Sequence, residues 1–587
     1  MNAENIYLFR HAVLRDAAYQ LQLPGDRARL HALALSLIET FFGGRPQDPG
    51  CAEGDAIQPH PTDALAQELA GHARFARATA PDMAELHALY LRRAANHAEV
   101  NFRHSAAASH WKEHAGIVTG ADRGDSILRA AQALQRGSFA TEAEAQFLIA
   151  LEMGRDAGDR RRQGLAKKGL AEIYRHSGRV QEAERTCEEA LALHREAGDR
   201  RSEAGCLGTL AGIHRECGRR EEAERLHQEA LAIFVSTGDR RAEGTGLDNL
   251  AILRDQYGRM EEAEELCRRA LALHREFGDR RSEGNTLGNL ASLYVVTGRV
   301  DLAEETYREA IAIHRQVGNR RVEGVCLGNL AGLYTGTAQI AEAERCFAEA
   351  LAIHREAGFR RSEGVTLGGL ANLFNRTGRA AQAERTHLEA VAIHREVLDR
   401  RSEGIALGNL AQVYKETGRK ELAERTEEQA LAIHREIGNR RHEGVALGIL
   451  AVLYQESGRL ELAEKTYRQA LELHRAASDR PSENTSLVNL ASLYRRIGRF
   501  EESKRALEQV LAFHRETRNR RQEGVDLCEF GLLELAMGIA APARATWLRG
   551  AAILREVGDA AQLSQESEEM RRACAGAGLP PFDEVPL

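Results

Sequence analysis

The chain has 587 residues, a formal net charge of −7 and 28% charged residues. A chain of this length exceeds what one compact core supports, and its mild acidity argues against a general nucleic-acid binder. Its nine cysteines include no C-x-x-C pair, so they indicate neither a zinc site nor a disulfide framework.

Residues 1–42 are predicted to form a short helical piece. They contain the string YLFRHAVLRDAAY at residues 7–19, followed by Leu23, Pro24, Arg27, Arg29, Leu30 and His31. This segment resembles the winged-helix-like region after the ATPase module of STAND-type signalling ATPases. The G-x-x-x-x-G-K-[ST] phosphate cradle of those ATPases is missing here, so the resemblance does not carry nucleotide binding over. It implies either a split or shortened descendant, or a shared way of leading into helical repeats.

The N-terminal stretch carries charges throughout, which is unlike a signal peptide. No run of about 18 apolar residues occurs, so no membrane span is expected. A reducing cytoplasm is the predicted location.

Residues 43–62 contain four glycines and four prolines without an apolar period, and they are predicted to be a linker. Helical patterning resumes over residues 63–120, where we expect three lead-in helices. From there a 40-residue pattern recurs without insertion or deletion, most strongly over residues 161–520 and more weakly in the blocks that begin at residues 121 and 521. The predicted repeat array covers residues 121–560, and residues 561–587 are predicted to form a capping helix and a loose tail.

One repeat, residues 401–440, shows why each block should form two helices. Leu407, Leu410 and Tyr414 follow helical spacing, and Gly418 can close a left-handed turn after them. A second apolar stripe follows and ends near Gly438. An Asp or Asn then caps the next helix, as at Asp199, Asp279, Asp399, Asn319 and Asn439. Eleven such blocks predict 22 helices.

Small residues such as Ala411 and Ala430 recur where the two helices should approach closely. The pattern resembles the tetratricopeptide (TPR) family in its longer variety, found in kinesin light chains and Pins/LGN-like adaptors. The residues that carry the resemblance in one repeat are Leu287, Leu290, Ala291, Tyr294, Gly298, Ala303, Tyr307 and Ala310. The resemblance implies an all-α α-solenoid, a right-handed TPR superhelix of stacked hairpins whose first helices line a groove.

Comparison of the repeats with one another indicates candidate groove residues. The fifth, twelfth, fifteenth and sixteenth positions of the first helix vary freely, which predicts either a peptide-selecting surface or drift at solvated positions. The candidates at these positions are Asn285, Ser292, Asn372, Arg376, Gln412 and Lys415.

An asparagine recurs at the ninth position, although Asn is a poor residue for a helix interior. The five members of this asparagine ladder are Asn249, Asn289, Asn329, Asn409 and Asn489. Each amide could bond the main chain of an extended peptide, as the matching Asn of Pins/LGN-like proteins implies, or it could bond a neighbouring helix.

A histidine also recurs near the end of the second helix, for example His274, His314 and His354. Equivalent atoms in stacked hairpins lie roughly 10 Å apart, too far to share a metal, so these residues are predicted to be amphipathic filler near a helix end that tolerates partial charge. Paired arginines in the loops, such as Arg280 and Arg281, could form a basic ridge. Because carboxylates flank them, a solvated edge of salt bridges is favoured.

No catalytic motif is found in the sequence, so we expect no enzymatic activity, cofactor or metal. The predicted function is a scaffold or sensor arm in signalling that binds a protein or peptide in its groove, without nucleic-acid or membrane partners. Two alternatives stay open: a regulatory subunit of a separately encoded signalling ATPase, kinase or protease, and an enzyme whose chemistry comes from a partner chain. The oligomeric state is left undecided by the sequence.

Overall fold

The computed structural model describes residues 23–51, 58–137, 139–477, 479–517 and 519–582. These residues form 27 α-helices, one 3-10 turn at Pro61–Leu65 and no β-strand. Four helices precede the repeats: α1 (Pro24–Phe41), α2 (Ala66–Phe75), α3 (Asp82–Val100) and α4 (His104–Ile117).

Each of the eleven repeats forms two helices, which confirms the predicted helical hairpin. The first helices are α5 (Gly120–Arg136), α7 (Arg160–His176), α9 (Arg200–Glu216), α11 (Arg240–Gln256), α13 (Arg280–Val296), α15 (Arg320–Gly336), α17 (Arg360–Arg376), α19 (Arg400–Glu416), α21 (Arg440–Glu456), α23 (Arg480–Arg496) and α25 (Arg520–Ala536). The second helices are α6 (Ala140–Asp156), α8 (Val180–Ala197), α10 (Arg220–Ser236), α12 (Met260–Glu276), α14 (Val300–Gln316), α16 (Ile340–Glu356), α18 (Ala380–Glu396), α20 (Lys420–Glu436), α22 (Leu460–Ala476), α24 (Phe500–Glu516) and α26 (Ala540–Glu556). A final helix, α27 (Ala560–Gly576), follows them.

The chain divides into two compact units. The first unit holds residues 1–213 and 221–400, and the second holds residues 214–220 and 401–587. In the first unit the largest hydrophobic core runs through successive repeats from Ala251 to Leu373, and in the second it runs from Leu410 to Leu533. Because each of these cores is shared by several repeats and belongs to none alone, both units are α-solenoids, as predicted.

Glycine closes most turns of the repeats, as predicted, and Ala338 and Leu398 take its place in two of them. Gly418 and Gly438 have φ of 76° and 64°, in the left-handed region that a residue without a Cβ adopts freely. Asp279 caps α13, because its carboxylate accepts the Ser282 backbone N–H at 3.1 Å. The same role predicted for Asn319 is wrong, since Asn319 makes no capping bond and its amide instead lies 3.4 Å from Nδ1 of His314.

The recurring histidines are buried against glycines of the first helices. The side chains of His314 and His354 are 0% exposed, and a Cβ on Gly284 would lie 2.8 Å from Nε2 of His314. Burial lowers the pKa of both His314 and His434 to about 4. These two rings are therefore neutral at pH 7, which corrects the expectation of partly charged filler at a helix end.

Replacement of Gly284 by alanine is expected to lower the free energy of unfolding by about 1–3 kcal/mol, because the new methyl group meets the His314 ring. Gly288→Ala on the same helix is the matched control. Its Cβ would meet nothing closer than Sγ of Cys326 at 3.5 Å, and alanine favours the helix by up to about 1 kcal/mol. Urea unfolding followed by circular dichroism should give G284A a lower free energy of unfolding than the natural protein. G288A should have the same or a higher free energy of unfolding. Equal stability of the two variants would contradict this account of the packing.

The first arginine of most inter-repeat pairs forms an ion pair with a glutamate, but this glutamate is buried, whereas the sequence predicted a solvated edge. Glu323 is 0% exposed and accepts from Nε of Arg315 at 2.8 Å and from Nη1 of Arg320 at 2.6 Å. Two arginines hold the equivalent residues Glu203, Glu283, Glu363, Glu443 and Glu523. Each such glutamate links the end of one repeat to the start of the next.

Side chains of α3 hold the chain that precedes the repeats. Arg93 donates to the Asp63 carboxylate at 2.5 Å and to the Gln47 and Gln58 carbonyls at 2.8 and 2.9 Å. The hydroxyl of Tyr90 donates to Glu39 of α1 at 2.7 Å. Parts of the predicted linker are therefore anchored to α3.

At the other end of the chain, Trp547 and Phe582 are buried in one core with Cys574 of α27. The predicted domain limits stay predictions. Residues 1–22 of the helical piece, with most of its ATPase-like string, lie outside the described residues, as do residues 583–587 of the tail.

In the described part of the chain, no helix is long and apolar enough to cross a bilayer. No group of three or more His, Cys, Asp or Glu side chains there could hold a metal ion. All nine cysteines are free thiols, and only Cys217 among them is not buried.

Candidate functional site

None of the eleven residues predicted to bind a peptide is buried. The exposed ones are Asn249, Asn285, Asn329, Asn372 and Arg376, and the half-buried ones are Asn289, Ser292, Asn409, Gln412, Lys415 and Asn489. Seven of them belong to the first unit, and Asn409, Gln412, Lys415 and Asn489 belong to the second.

The side chains of the asparagine ladder make no hydrogen bond to any described residue of the chain. The alternative role, an amide bonded to a neighbouring helix, therefore finds no support among the described residues. Three other candidates are engaged by the fold. Ser292 Oγ lies 2.8 Å from the Tyr307 hydroxyl, Gln412 donates to Glu416 at 2.6 Å, and Lys415 lies 3.8 Å from Glu456.

A cavity in the described part of the first unit has a volume of about 490 Å³. One wall comes from α5 and α7, including Gln132, Arg136 and Lys168. The facing wall comes from loops and helix starts much later in the chain, including Arg281 and Arg321. The cavity thus joins residues more than 100 positions apart in the sequence.

Contacts between these two walls are direct. Nη1 of Arg361, which also pairs with Asp399 at 2.7 Å, lies 3.3 Å from Nδ1 of His176. The guanidinium of Arg281 lies over the ring of Phe102, 5.2 Å from its centroid. A cation above an aromatic face is held in orientation, so Arg281 is positioned before any ligand arrives.

Residues of the first wall hold the same first-helix positions as the predicted candidates, but they belong to repeats that contain none of those candidates. Leu165, Gly169, Glu172 and His176 are the fifth, ninth, twelfth and sixteenth residues of their repeat, and all four line the cavity. None of the eleven named candidates lines it. The eleven peptide-binding residues stay a prediction, and they are distinct from the residues that line this cavity.

The charges of the cavity are mostly positive. Five basic side chains line it, Arg136, Lys168, Arg281, Arg321 and Arg361, against the two carboxylates of Glu172 and Asp399. His104 adds no charge at neutral pH, because burial, with Arg136 and Arg321 nearby, lowers its pKa to about 4. The charges of the cavity therefore suit an anion.

Comparison with known proteins decides the family. The sequence model of the tetratricopeptide repeat family matches residues 162–234, 203–276, 282–356, 362–436 and 443–516. Together these residues make up more than half of the chain. The chain belongs to the tetratricopeptide repeat family. The TPR resemblance drawn from the sequence is thereby confirmed. No curated protein is similar enough to this TPR protein to match it.

Several solved structures are similar in part. A Rap protein complexed with Competence and Sporulation Factor is 15% identical, with a TM-score of 0.44, over 57% of this TPR protein and 94% of that chain. BtubC (BKLC) from P. vanneervenii is 23% identical, with a TM-score of 0.31, over 38% and 91% of the two chains. A putative kinesin light chain from Podosopora anserina with nearly identical TPR-like repeats is 24% identical, with a TM-score of 0.29, over 33% and 95%.

The predicted site of this TPR protein did not include the cavity arginines, because all paired arginines were expected to lie in a solvated edge of salt bridges. One signal was present in the sequence. The positions 38 residues after Arg281 and Arg321 hold Asn319 and Phe359, where most repeats have Asp. Asn439 and Asn519 depart from Asp at the same position, so this signal narrows the choice of loops without singling out these two. Nothing in the repeat pattern of the sequence indicates the contact between α7 and the later loops.

Proposed function

We propose that this TPR protein is a protein-interaction scaffold that binds an extended peptide or a protein segment along the first helices of its repeats. The observation that carries the proposal is the asparagine ladder. Its five amides recur at one position, lie exposed or half-buried, and have no hydrogen-bond partner among the described residues. An amide that serves neither packing nor capping is available to bond a ligand main chain through both donor and acceptor.

Family membership supports the scaffold role, since stacked helical repeats offer extended surfaces for recognition. We infer that the protein acts by binding and not by catalysis, and that it works in the cytoplasm. The rival role, a regulatory subunit of a signalling enzyme, depends on residues 1–42, more than half of which lie outside the described residues, and it stays a prediction.

The test is a triple variant in the first unit, Asn249→Ala with Asn289→Ala and Asn329→Ala. Partners retained by the full-length protein from the source cells would be identified by mass spectrometry, and their affinities would then be measured with purified components. We expect the triple variant to bind at least about tenfold more weakly, because several hydrogen bonds of about 0.5–1.5 kcal/mol each are lost. Helicity and unfolding temperature should stay the same, since the amides have no role in the fold.

The matched control changes one exposed residue on the second helix of each of the same three repeats: Glu265→Ala, Glu305→Ala and Arg345→Ala. This control should bind like the natural protein. Unchanged affinity in the asparagine variant, or an equal loss in the control, would remove the ladder from the binding site.

A further inference from the structure

The second arginine of each inter-repeat pair usually has a fixed partner. It forms an ion pair with the aspartate 38 residues later, which opens the next repeat. These pairs are Arg161–Asp199 at 3.3 Å, Arg201–Asp239 at 3.4 Å, Arg361–Asp399 at 2.7 Å, Arg441–Asp479 at 2.9 Å and Arg521–Asp559 at 2.6 Å. In these repeats the arginine charge is balanced within the fold.

Arg281 and Arg321 break this rule. The positions 38 residues later hold Asn319 and Phe359, which carry no charge and are only 1% and 5% exposed. No described carboxylate lies within ion-pair distance of either guanidinium. Arg401 also has an Asn 38 residues later, but an ion pair with Glu216 at 2.9 Å balances its charge. Arg281 and Arg321 are therefore two adjacent, unbalanced cations.

These two arginines line the same cavity, and so do Arg136 and Arg361. Arg281 is exposed and Arg321 half-buried, so a small molecule in the cavity can reach both. Arg136 is only weakly neutralised. Its nearest carboxylate, Glu99, lies 3.4 Å away and also pairs with Arg129 at 3.0 Å.

The like charges act on one another across the cavity. Desolvation lowers the pKa of Arg281 and Arg136 lowers it further, whereas Asp279 opposes this shift without forming an ion pair. Desolvation also lowers the pKa of Arg321, with Arg281 and Arg361 adding to the effect. Guanidinium groups stay protonated at neutral pH all the same, so the repulsion persists. A bound anion would offset this repulsion more closely than the cavity carboxylates of Glu172 and Asp399, neither of which lies within ion-pair distance of Arg281 or Arg321.

We propose that this cavity binds a small molecule that carries phosphate groups, held chiefly by Arg281 and Arg321. Guanidinium groups bind phosphate oxygens in pairs of parallel hydrogen bonds, which suits a ligand of two or more negative charges. The stacking on Phe102 orients one of the two donors in advance. The site is separate from the asparagine ladder and does not depend on the proposed scaffold role.

The size of the cavity favours a small molecule over a protein segment. Its volume of about 490 Å³ lies within the range of roughly 300–1,000 Å³ that is typical of small-molecule sites. Leu165, Ile173 and Val397 give part of the lining an apolar character that a phosphate ester with an organic group could use.

The experiment is isothermal titration calorimetry of the full-length protein with pyrophosphate at about 0.1 M ionic strength. We expect saturable binding by the natural protein. In the double variant Arg281→Gln, Arg321→Gln the dissociation constant should be at least about tenfold larger. The double variant should fold, because neither arginine makes an ion pair. Its unfolding temperature without ligand should equal or exceed that of the natural protein, since repulsion is relieved.

The matched control is Arg161→Gln with Arg201→Gln, which removes two charges at the same repeat position outside the cavity. It should keep pyrophosphate binding while losing two ion pairs. Absence of saturable binding, or equal binding by both double variants, would overturn the proposal. Citrate or an acidic peptide that bound more tightly than pyrophosphate through the same arginines would overturn the assignment to phosphate.

Discussion

Replacement of Arg315 and Arg320 together by alanine is expected to lower the free energy of unfolding by about 3–5 kcal/mol at pH 7. Both arginines donate to Glu323, whose side chain is 0% exposed, at 2.8 and 2.6 Å. Once they are gone, a carboxylate without a counter-charge stays buried between two repeats, and such a charge is costly. Urea unfolding of the full-length protein, followed by circular dichroism, measures the loss.

Two further variants test this explanation. Addition of Glu323→Gln to the double variant removes the buried charge and should recover part of the lost stability. Replacement of two exposed arginines of the same unit, Arg269→Ala and Arg345→Ala, should change stability by less than about 0.5 kcal/mol. If the double variant at Arg315 and Arg320 were as stable as this control, the buried ion pairs would not be what joins the repeats.

Glu427→Gln is expected to raise the free energy of unfolding by about 3 kcal/mol at pH 7. Glu427 is 1% exposed and takes the place that Tyr307, Phe347 and Tyr467 hold in other repeats. Burial raises its pKa to about 8 from an ordinary 4.5, and its Oε2 has no described hydrogen-bond partner. The folded protein must therefore protonate this carboxyl at pH 7, at a cost that glutamine avoids.

The raised pKa of Glu427 also determines how the stability of the fold depends on pH. Between pH 4.5 and 8 the folded state binds a proton at Glu427 that the unfolded state releases, so stability falls as the pH rises through this range. The advantage of the glutamine variant should vanish near pH 4.5 and grow towards pH 8. Glu428→Gln, at the exposed neighbouring residue, is the control and should change stability by less than about 0.5 kcal/mol. A constant advantage across this range would show that the Glu427 carboxyl is not protonated in the fold.

Repetition made the fold predictable from the sequence. Leu287, Leu290 and Tyr294 have counterparts with helical spacing in most blocks, and Gly298 has counterparts where the turn must be left-handed. These are local signals, and local signals specify a helix, its end and its apolar face. Since each hairpin packs on its sequence neighbour, the same pattern also specifies a shared core.

The sequence did not locate the cavity, and the predicted peptide-binding residues stay a prediction. The repeat comparison picked the first-helix positions that line the cavity, yet it named Asn289 and its equivalents in place of Leu165, Glu172 and His176. Which repeats face each other is set by the small rotation between successive hairpins, and no single residue encodes that rotation. The contact of Arg361 with His176 spans 185 residues and follows from the sum of those rotations.

By itself the sequence determined an all-α repeat protein, its helical hairpins and its turns, because each of these depends on residues fewer than 40 positions apart. Only the tertiary structure decided that Glu323 and the rings of His314 and His354 are buried, and that Arg281 and Arg321 share a cavity with α5 and α7. The physical reason is that burial and the meeting of like charges depend on what packs against a residue from distant repeats, which a local pattern cannot record.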